Sequence, residues 1–233
     1  ISGDGDSLSI GLGQLCHAIR RNVNMLYVIE NNGVYGLTKG QFSASADVGS
    51  AAKKGDVNQL QPIDPVVTAI DIGGSFVARG FSGDKRNLVP LIKAGIMHRG
   101  FALLDVISPC VTFNDHDGST KSYLHTREFE QTAVYADFVP IRDEITASVD
   151  THVTSVTLHD GSQIHLRTVD PDYDPFDRDS VVSYIREHQN KGQIVTGLLF
   201  VDETAPDMLT LSGTTETPLV DLSFDTLNPG AAA

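Results

Sequence analysis

Apolar and polar positions divide the chain into a regular succession of short elements. In residues 8–21 (LSIGLGQLCHAIRR) apolar side chains recur at 8, 12, 15, 16 and 19, a helical spacing. Asp6 or Ser7 suits its N-cap, and Arg20 and Arg21 fall in the last turn, where cations complement the helix dipole. Residues 25–29 (MLYVI) form an unbroken apolar run, the pattern of a buried strand. Asp64-Pro65 opens a helix to about residue 72, with Asp as cap and Pro in the first turn. Residues 75–79 and 101–107 read as strands. Between them, residues 84–98 read as a helix with Pro90 in its first turn. Strands and helices alternating at this spacing predict an α/β fold with a mostly parallel sheet flanked by helices.

The style changes near residue 127, so the chain divides into residues 1–126 and a C-terminal extension, 127–233. Residues 153–158 and 163–169 flank Asp160-Gly161, a hairpin signal. Residues 177–190 read as a capped helix closed by Gly192, followed by a strand at 193–201. The last thirty residues carry no period and are expected to form an extended tail over a partner or the parent domain. Residues 40–56, rich in small and polar side chains, make a long loop of the kind that is usually functional.

The candidate chemistry lies at the start. Gly3-Asp4-Gly5-Asp6 precedes the first helix, and Asn32 follows Asp4 by 28 positions. That is the length of one strand–helix–strand excursion, whose ends return to one edge of a parallel sheet. The helix covers roughly 21 Å of it. A carboxylate at one strand tip and a carboxamide at the next would share a hard cation such as Mg²⁺, which takes oxygen ligands and shares them with phosphate. The Gly-rich turn would offer backbone N–H groups to the same diphosphate. The alternative from the residues alone is an acidic turn followed by an ordinary Asn-Asn-Gly turn. A calcium loop does not fit, because its sixth position would be Ser9 where Gly is needed. Asp115-His116-Asp117-Gly118 and the acidic stretch from Asp170 read as solvated loops.

Composition narrows the classes. Of 233 residues, 40% are hydrophobic and 20% charged, ordinary for a globular protein with a sizeable core. A net charge of −13 argues against nucleic acid or an anionic membrane as partner. No apolar run approaches the ~20 residues of a membrane span. Two cysteines, Cys16 and Cys110, make no disulfide framework and point to a reducing cytoplasm. Cys16 sits on the apolar helix face and reads as core; Cys110 by itself reads as a small buried hydrophobe. Histidine and cysteine spacings fit no zinc site, and no Ser/His/Asp arrangement stands out, so hydrolytic chemistry has no support.

Gly3-Asp4-Gly5, the Asn31-Asn32 pair, the continuation NGVYGLTKGQ (32–41) and SPCVTFN (108–114) together resemble the β subunit of 2-oxoacid:ferredoxin oxidoreductases, most closely the 2-oxoglutarate type. The resemblance implies a thiamine diphosphate-binding fold with Gly3, Asp4, Gly5, Asp6, Asn32, Gly36, Leu37 and Thr38 at the cofactor. It adds the backbone carbonyl of Val34 to Asp4 and Asn32 as Mg²⁺ ligands. Glu30 points away in the motif, so the glutamate that activates the cofactor is expected from an α subunit, and this chain alone should be inactive. Lys39 is assigned to the distal carboxylate of 2-oxoglutarate, the alternative being a solvated loop lysine. Cys110 becomes the distant fourth ligand of a [4Fe–4S] cluster whose other cysteines lie upstream in the family, so the chain looks like the C-terminal two-thirds of a larger subunit. Oxidative decarboxylation to succinyl-CoA, with coenzyme A as acyl acceptor and ferredoxin as electron acceptor, is the implied activity, reversible in principle. Arg20-Arg21, Lys53-Lys54 and Lys85-Arg86 are the basic pairs that could meet an acidic ferredoxin, or simply solvated charges. Rival readings are a pyruvate or broad-specificity 2-oxoacid oxidoreductase, a non-redox thiamine diphosphate decarboxylase or ligase, and a non-catalytic scaffold.

Overall fold

The computed structural model describes residues 1–52, 55–139, 153–158, 161–215 and 217–228. Lys53, Lys54 and Asp160, singled out above, lie outside the described residues. The elements run β1 (Ser2–Gly3), a π-helical turn (Gly5–Ile10), α1 (Leu12–Arg20), β2 (Met25–Asn31), β3 (Val34–Tyr35), β4 (Gln41–Phe42), α2 (Pro65–Asp71), β5 (Phe76–Phe81), α3 (Lys85–Met97) and β6 (Phe101–Ile107). They continue as α4 (Tyr123–Phe129), β7 (Glu130–Val139), β8 (Val153–Thr157), β9 (Gln163–Thr168), α5 (Arg178–Asn190), β10 (Ile194–Val201), α6 (Met208–Leu211), a 3-10 turn (Leu219–Asp221) and α7 (Phe224–Leu227).

Eight strands form one sheet in the order β1-β2-β6-β5-β10-β7-β9-β8. The first four pair in parallel, β10 runs antiparallel to β5 and parallel to β7, and β9 and β8 close the far edge antiparallel. Every residue of β5 and β6 is buried, as expected where helices cover both faces. On one side α3 lies over β5, β6, β7 and β10; α2 and α5 pack on each other and against β5, β6 and β10. Phe76, Phe101, Leu103, Leu104, Ile70, Leu91, Ile164, Leu166 and Ile185 fill the core between them. Asp64 caps α2 and Asp177 caps α5, each accepting two backbone N–H groups of the first turn.

Four expectations need adjusting. The helix expected at 8–21 is broken: the Gly11 N–H reaches the Asp6 carbonyl (2.7 Å), closing a π turn, and Gly11 then starts α1. Strand β2 is half-covered, with Met25 40% exposed, because its neighbour β1 spans only two residues. Pro90 sits in the second turn of α3, one turn deeper than expected, where it removes a hydrogen bond to the Arg86 carbonyl. The tail is extended only in part: Asp207 and Ser223 cap the short helices α6 and α7.

Candidate functional site

The parallel register Ser2↔Ile29 and Gly3↔Glu30 brings the tip of β1 against the tip of β2, so the 28-position excursion closes as expected. Asp4, directly after β1, is buried, with its carboxylate set against the turn that follows β2. Its Oδ2 accepts the Gly33 N–H (3.0 Å), the Ser45 hydroxyl (2.7 Å) and the Ser43 hydroxyl. Its Oδ1 has one long contact, to the Asn32 N–H at 3.4 Å. Asn32 meets Asp4 through its backbone, while its side-chain Oδ1 accepts the Val34 N–H (3.1 Å). Gly33 has φ +78°, and a Cβ there would lie 2.9 Å from Asn114 Nδ2, so the turn requires glycine. Gly5 is required for a different reason: the Tyr35 ring occupies the space of a Cβ, and its hydroxyl donates to the Gly5 carbonyl at 3.0 Å. At Gly3 and Gly36 a Cβ would meet nothing within 4 Å. Asp6 is exposed, its carbonyl engaged in the π turn.

These features suit a diphosphate held through a hard cation. Asp4 keeps one oxygen nearly free, Asn32 Oδ1 keeps a lone pair, and the space over Gly3 and Gly36 is open. All the donors are oxygen. Gly36, Leu37, Thr38 and Lys39 form an exposed tongue, with Leu37 fully solvated. The Thr38 hydroxyl donates to the Tyr35 carbonyl (3.3 Å), and Lys39 adopts φ +72°, a left-handed conformation uncommon outside glycine. Among the described residues, the Lys39 side chain makes no hydrogen bond or ion pair.

Behind Asp4 lies a polar network that sequence reading missed. Asn31 Oδ1 faces the Ser45 hydroxyl (2.9 Å), and Asn31 Nδ2 donates to Asp105 Oδ1 (2.9 Å). Arg79 Nε donates to Asp105 Oδ2 (2.7 Å) and its Nη2 to Asp64 Oδ1 (2.5 Å). Gln189 of α5 donates to the other Asp64 oxygen. Burial alone would pull the Arg79 pKa down, but the two carboxylates outweigh it and hold the guanidinium above its ordinary range. Burial raises the Asp105 carboxyl, with Arg79 opposing. The network walls a cavity of about 410 Å³ that also meets Lys121, Thr120 and Asp47. There burial would raise Asp47, yet the Lys121 ammonium (3.1 Å) and Thr120 hold it below the ordinary carboxylate range. One signal was available: a lone Arg in FVARGF and a lone Asp in FALLDVI, both otherwise apolar strands, must find each other.

Cys110 is partly buried in the loop after β6, and Cys16 is likewise partly buried in α1 rather than fully in the core. The Cys110 carbonyl accepts the Phe113 and Asn114 N–H groups, and Asn114 Nδ2 donates to the Asn32 carbonyl at 2.7 Å. The cysteine loop is thereby tied to the Asn32 turn. Among the described residues no three His, Cys, Asp or Glu side chains group as metal ligands, so a cluster on Cys110 needs thiolates from elsewhere. The expectation of no Ser/His/acid array needs correction. At the opposite end of the sheet Ser75 Oγ lies 2.7 Å from His98 Nε2, and His98 Nδ1 lies 2.7 Å from Glu203 Oε1. Ser75 and His98 are buried, and the serine also donates to Asn22 Oδ1 (2.7 Å), so the array has no access to substrate.

Residues 1–106 match the family described as thiamine pyrophosphate enzyme, C-terminal TPP binding domain. A 2-oxoacid:ferredoxin oxidoreductase subunit beta of Saccharolobus solfataricus is 43% identical over 136 residues, 57% of this chain and 41% of that protein. The 2-oxoglutarate oxidoreductase subunit KorB of Mycobacterium tuberculosis is 32% identical over 174 residues, 69% of this chain and 47% of that protein. Among solved structures, a 2-oxoglutarate:ferredoxin oxidoreductase from Magnetococcus marinus, with 2-oxoglutarate, coenzyme A and succinyl-CoA bound, superposes with a TM-score of 0.68 at 27% identity. That match covers 91% of this chain and 58% of the other. The chain spans less than half the length of these curated relatives. No helix among the described residues is long and apolar enough to cross a membrane.

Proposed function

We propose that this chain, whose likeness to the β subunits of 2-oxoacid:ferredoxin oxidoreductases is established above, acts as the β subunit of a 2-oxoglutarate:ferredoxin oxidoreductase. The enzyme would decarboxylate 2-oxoglutarate oxidatively to succinyl-CoA and CO₂, reversibly, in the cytoplasm, with an α subunit as obligatory partner. The observation that carries this reading is the Asp4 carboxylate set into the Asn32–Gly33 turn with one oxygen held and the other nearly free. Asp4, Asn32 and the Val34 carbonyl would hold Mg²⁺. Gly3, Gly5 and Asp6 would border the diphosphate, and Gly36, Leu37 and Thr38 would lie along the cofactor. Thiamine diphosphate, when bound, supplies a carbon nucleophile for the 2-oxo group and a sink for the electrons left when CO₂ departs.

The residues of this chain have three further tasks. Lys39, solvent-exposed here, would be desolvated when the α subunit covers the tongue and would then pair the distal carboxylate of the substrate. Cys110 would ligate a [4Fe–4S] cluster that passes electrons singly to ferredoxin, with Asn114 holding its loop to the metal turn. The Tyr35 ring and hydroxyl keep the Gly5 turn fixed, so the diphosphate meets a preformed cradle. The α subunit would bring the glutamate that activates the cofactor.

The decisive experiment is to purify the chain with its native partner and measure thiamine, magnesium and iron per assembly. About one thiamine diphosphate and one Mg²⁺ per chain, with cluster iron that falls on Cys110→Ala, is the expected result. An assembly without thiamine would leave only a scaffold role, and thiamine without iron would indicate a non-redox decarboxylase. A broad-specificity reading is favoured by the Saccharolobus relative, named for 2-oxoacids in general. Replacing Lys39 by Ala separates the two: KM for 2-oxoglutarate should rise about tenfold, the worth of about 1.4 kcal/mol, while KM for pyruvate stays put. Equal changes for both substrates would remove Lys39 from specificity.

A further inference from the structure

We infer that Ser43 and Ser45 are positioning residues that lock one oxygen of Asp4 and so dictate which oxygen is presented to the metal. This rests on the cofactor site proposed above and adds to it two residues from the long loop. The donors around Asp4 are distributed very unevenly. Oδ2 carries the Gly33 N–H and both serine hydroxyls, whereas Oδ1 has a single contact, at 3.4 Å. A carboxylate oxygen with three donors has no lone pair left for a cation; its twin has. Ser43 and Ser45 are themselves 6% and 2% exposed, so water does not substitute for them.

The serines are held in turn. Ser45 N–H donates to Ser43 Oγ (3.3 Å), and the two hydroxyls lie 3.1 Å apart. Gly33 accepts the Ser43 N–H at its carbonyl (3.1 Å), so the serine loop and the metal turn brace each other. Asn31 cannot flip its amide, because Asp105 Oδ1 offers only an acceptor to Nδ2; Asn31 Oδ1 must therefore face Ser45. The single Ser45 hydroxyl proton is thus shared between Asp4 Oδ2 (2.7 Å) and Asn31 Oδ1 (2.9 Å), the shorter contact being to Asp4, on a line fixed at its far end by Arg79. Such outer partners of a metal ligand fix its orientation, and their loss typically weakens metal binding by ~10–100-fold.

The test uses the assembled protein with its partner subunit, thiamine diphosphate and Mn²⁺ as a paramagnetic stand-in for Mg²⁺. The Mn²⁺ dissociation constant and the spectrum of bound Mn²⁺ are measured for wild type, Ser43→Ala, Ser45→Ala and the double variant. Thermal midpoints are taken without metal. Each single variant is expected to raise the dissociation constant about tenfold and to alter the bound spectrum, with a further loss in the double variant and a metal-free midpoint within a few degrees of wild type. Unchanged Mn²⁺ affinity and spectrum in the double variant overturn the assignment. So does a lowered metal-free midpoint with unchanged affinity, which marks the serines as merely structural. Should one variant fail to assemble, the other single variant carries the same reading. If wild type itself takes up no Mn²⁺ with thiamine diphosphate, it is the cofactor site that falls.

Discussion

Both ends of the central sheet hold a buried polar cluster, built at similar distances, yet only one is suited to act on a ligand. At the amino end of the parallel strands, Asn22, Ser75, His98 and Glu203 close on one another: Asn22 Oδ1 takes the Ser75 hydroxyl and the Phe101 N–H, each at 2.7 Å, and Asn22 Nδ2 reaches the carbonyls of Ala205 and Pro206. At the carboxyl end, Asp4 is supplied on one oxygen and left open on the other, next to glycines with empty space above them. The first cluster staples β5, β6 and the segment after β10; the second leaves one carboxylate oxygen with a single long contact. Geometry that resembles catalytic machinery is therefore no guide by itself. What separates the two ends is how evenly the hydrogen-bond partners are shared out: Asp4 Oδ1 has only the 3.4 Å contact to the Asn32 N–H. The Arg79–Asp105–Asp64 group teaches the same at the carboxyl end, where a built-in guanidinium fills the place an ion would take.

Three substitutions would break or sharpen that contrast. Asp4→Asn should abolish metal-dependent thiamine diphosphate binding, a loss of at least ~100-fold by titration calorimetry, with the fold kept, because the amide still accepts the serine and glycine donors. Retained binding would erase the difference between the two ends. Ser75→Ala should do the reverse. It would cost roughly 1–3 kcal/mol in chemical denaturation, since Asn22 and His98 lose a buried partner, with cofactor binding unaltered. Asp47→Asn should have the smallest effect, on the order of 1 kcal/mol, and a pH-dependent one. Burial alone would raise the Asp47 pKa, but Lys121 and Thr120 hold the folded-state value below the ordinary 3.8, so its contribution is fully present above 3.8 and is lost as pH falls through the lowered folded-state value. The gap in thermal midpoint between wild type and Asp47→Asn should therefore be open at pH 6 and should narrow as pH falls below 3.8.

Much of the carboxyl-end site was legible. That Asp4 meets the Asn32 turn follows from spacing, because a strand–helix–strand unit fixes where both tips return, and aspartates at 64 and 177 mark two helix starts. The serines were not legible as partners of Asp4. Their loop has no period, and its course over the site is set by the β3–β4 pair and by Asn58, which holds the carbonyls of Ala46 and Asp47. The pairing of His98 with Glu203 could not be anticipated either, since it depends on β10 inserting beside β5. Pro90 falls in the second turn because the Asp84 cap starts α3 at Lys85, so the first-turn preference of proline does not locate it. Helices of four residues, such as α6 and α7, are too short for periodicity to register; only their caps announce them.

The insertion of β10 between β5 and β7 has a consequence for how the polypeptide is made. A nascent chain that has emerged as far as β6 still shows β5 with an open rim of backbone N–H and C=O groups, and it keeps that rim until residues 194–201 leave the ribosome. That edge of the parallel strands stays unpaired while nearly ninety further residues are translated.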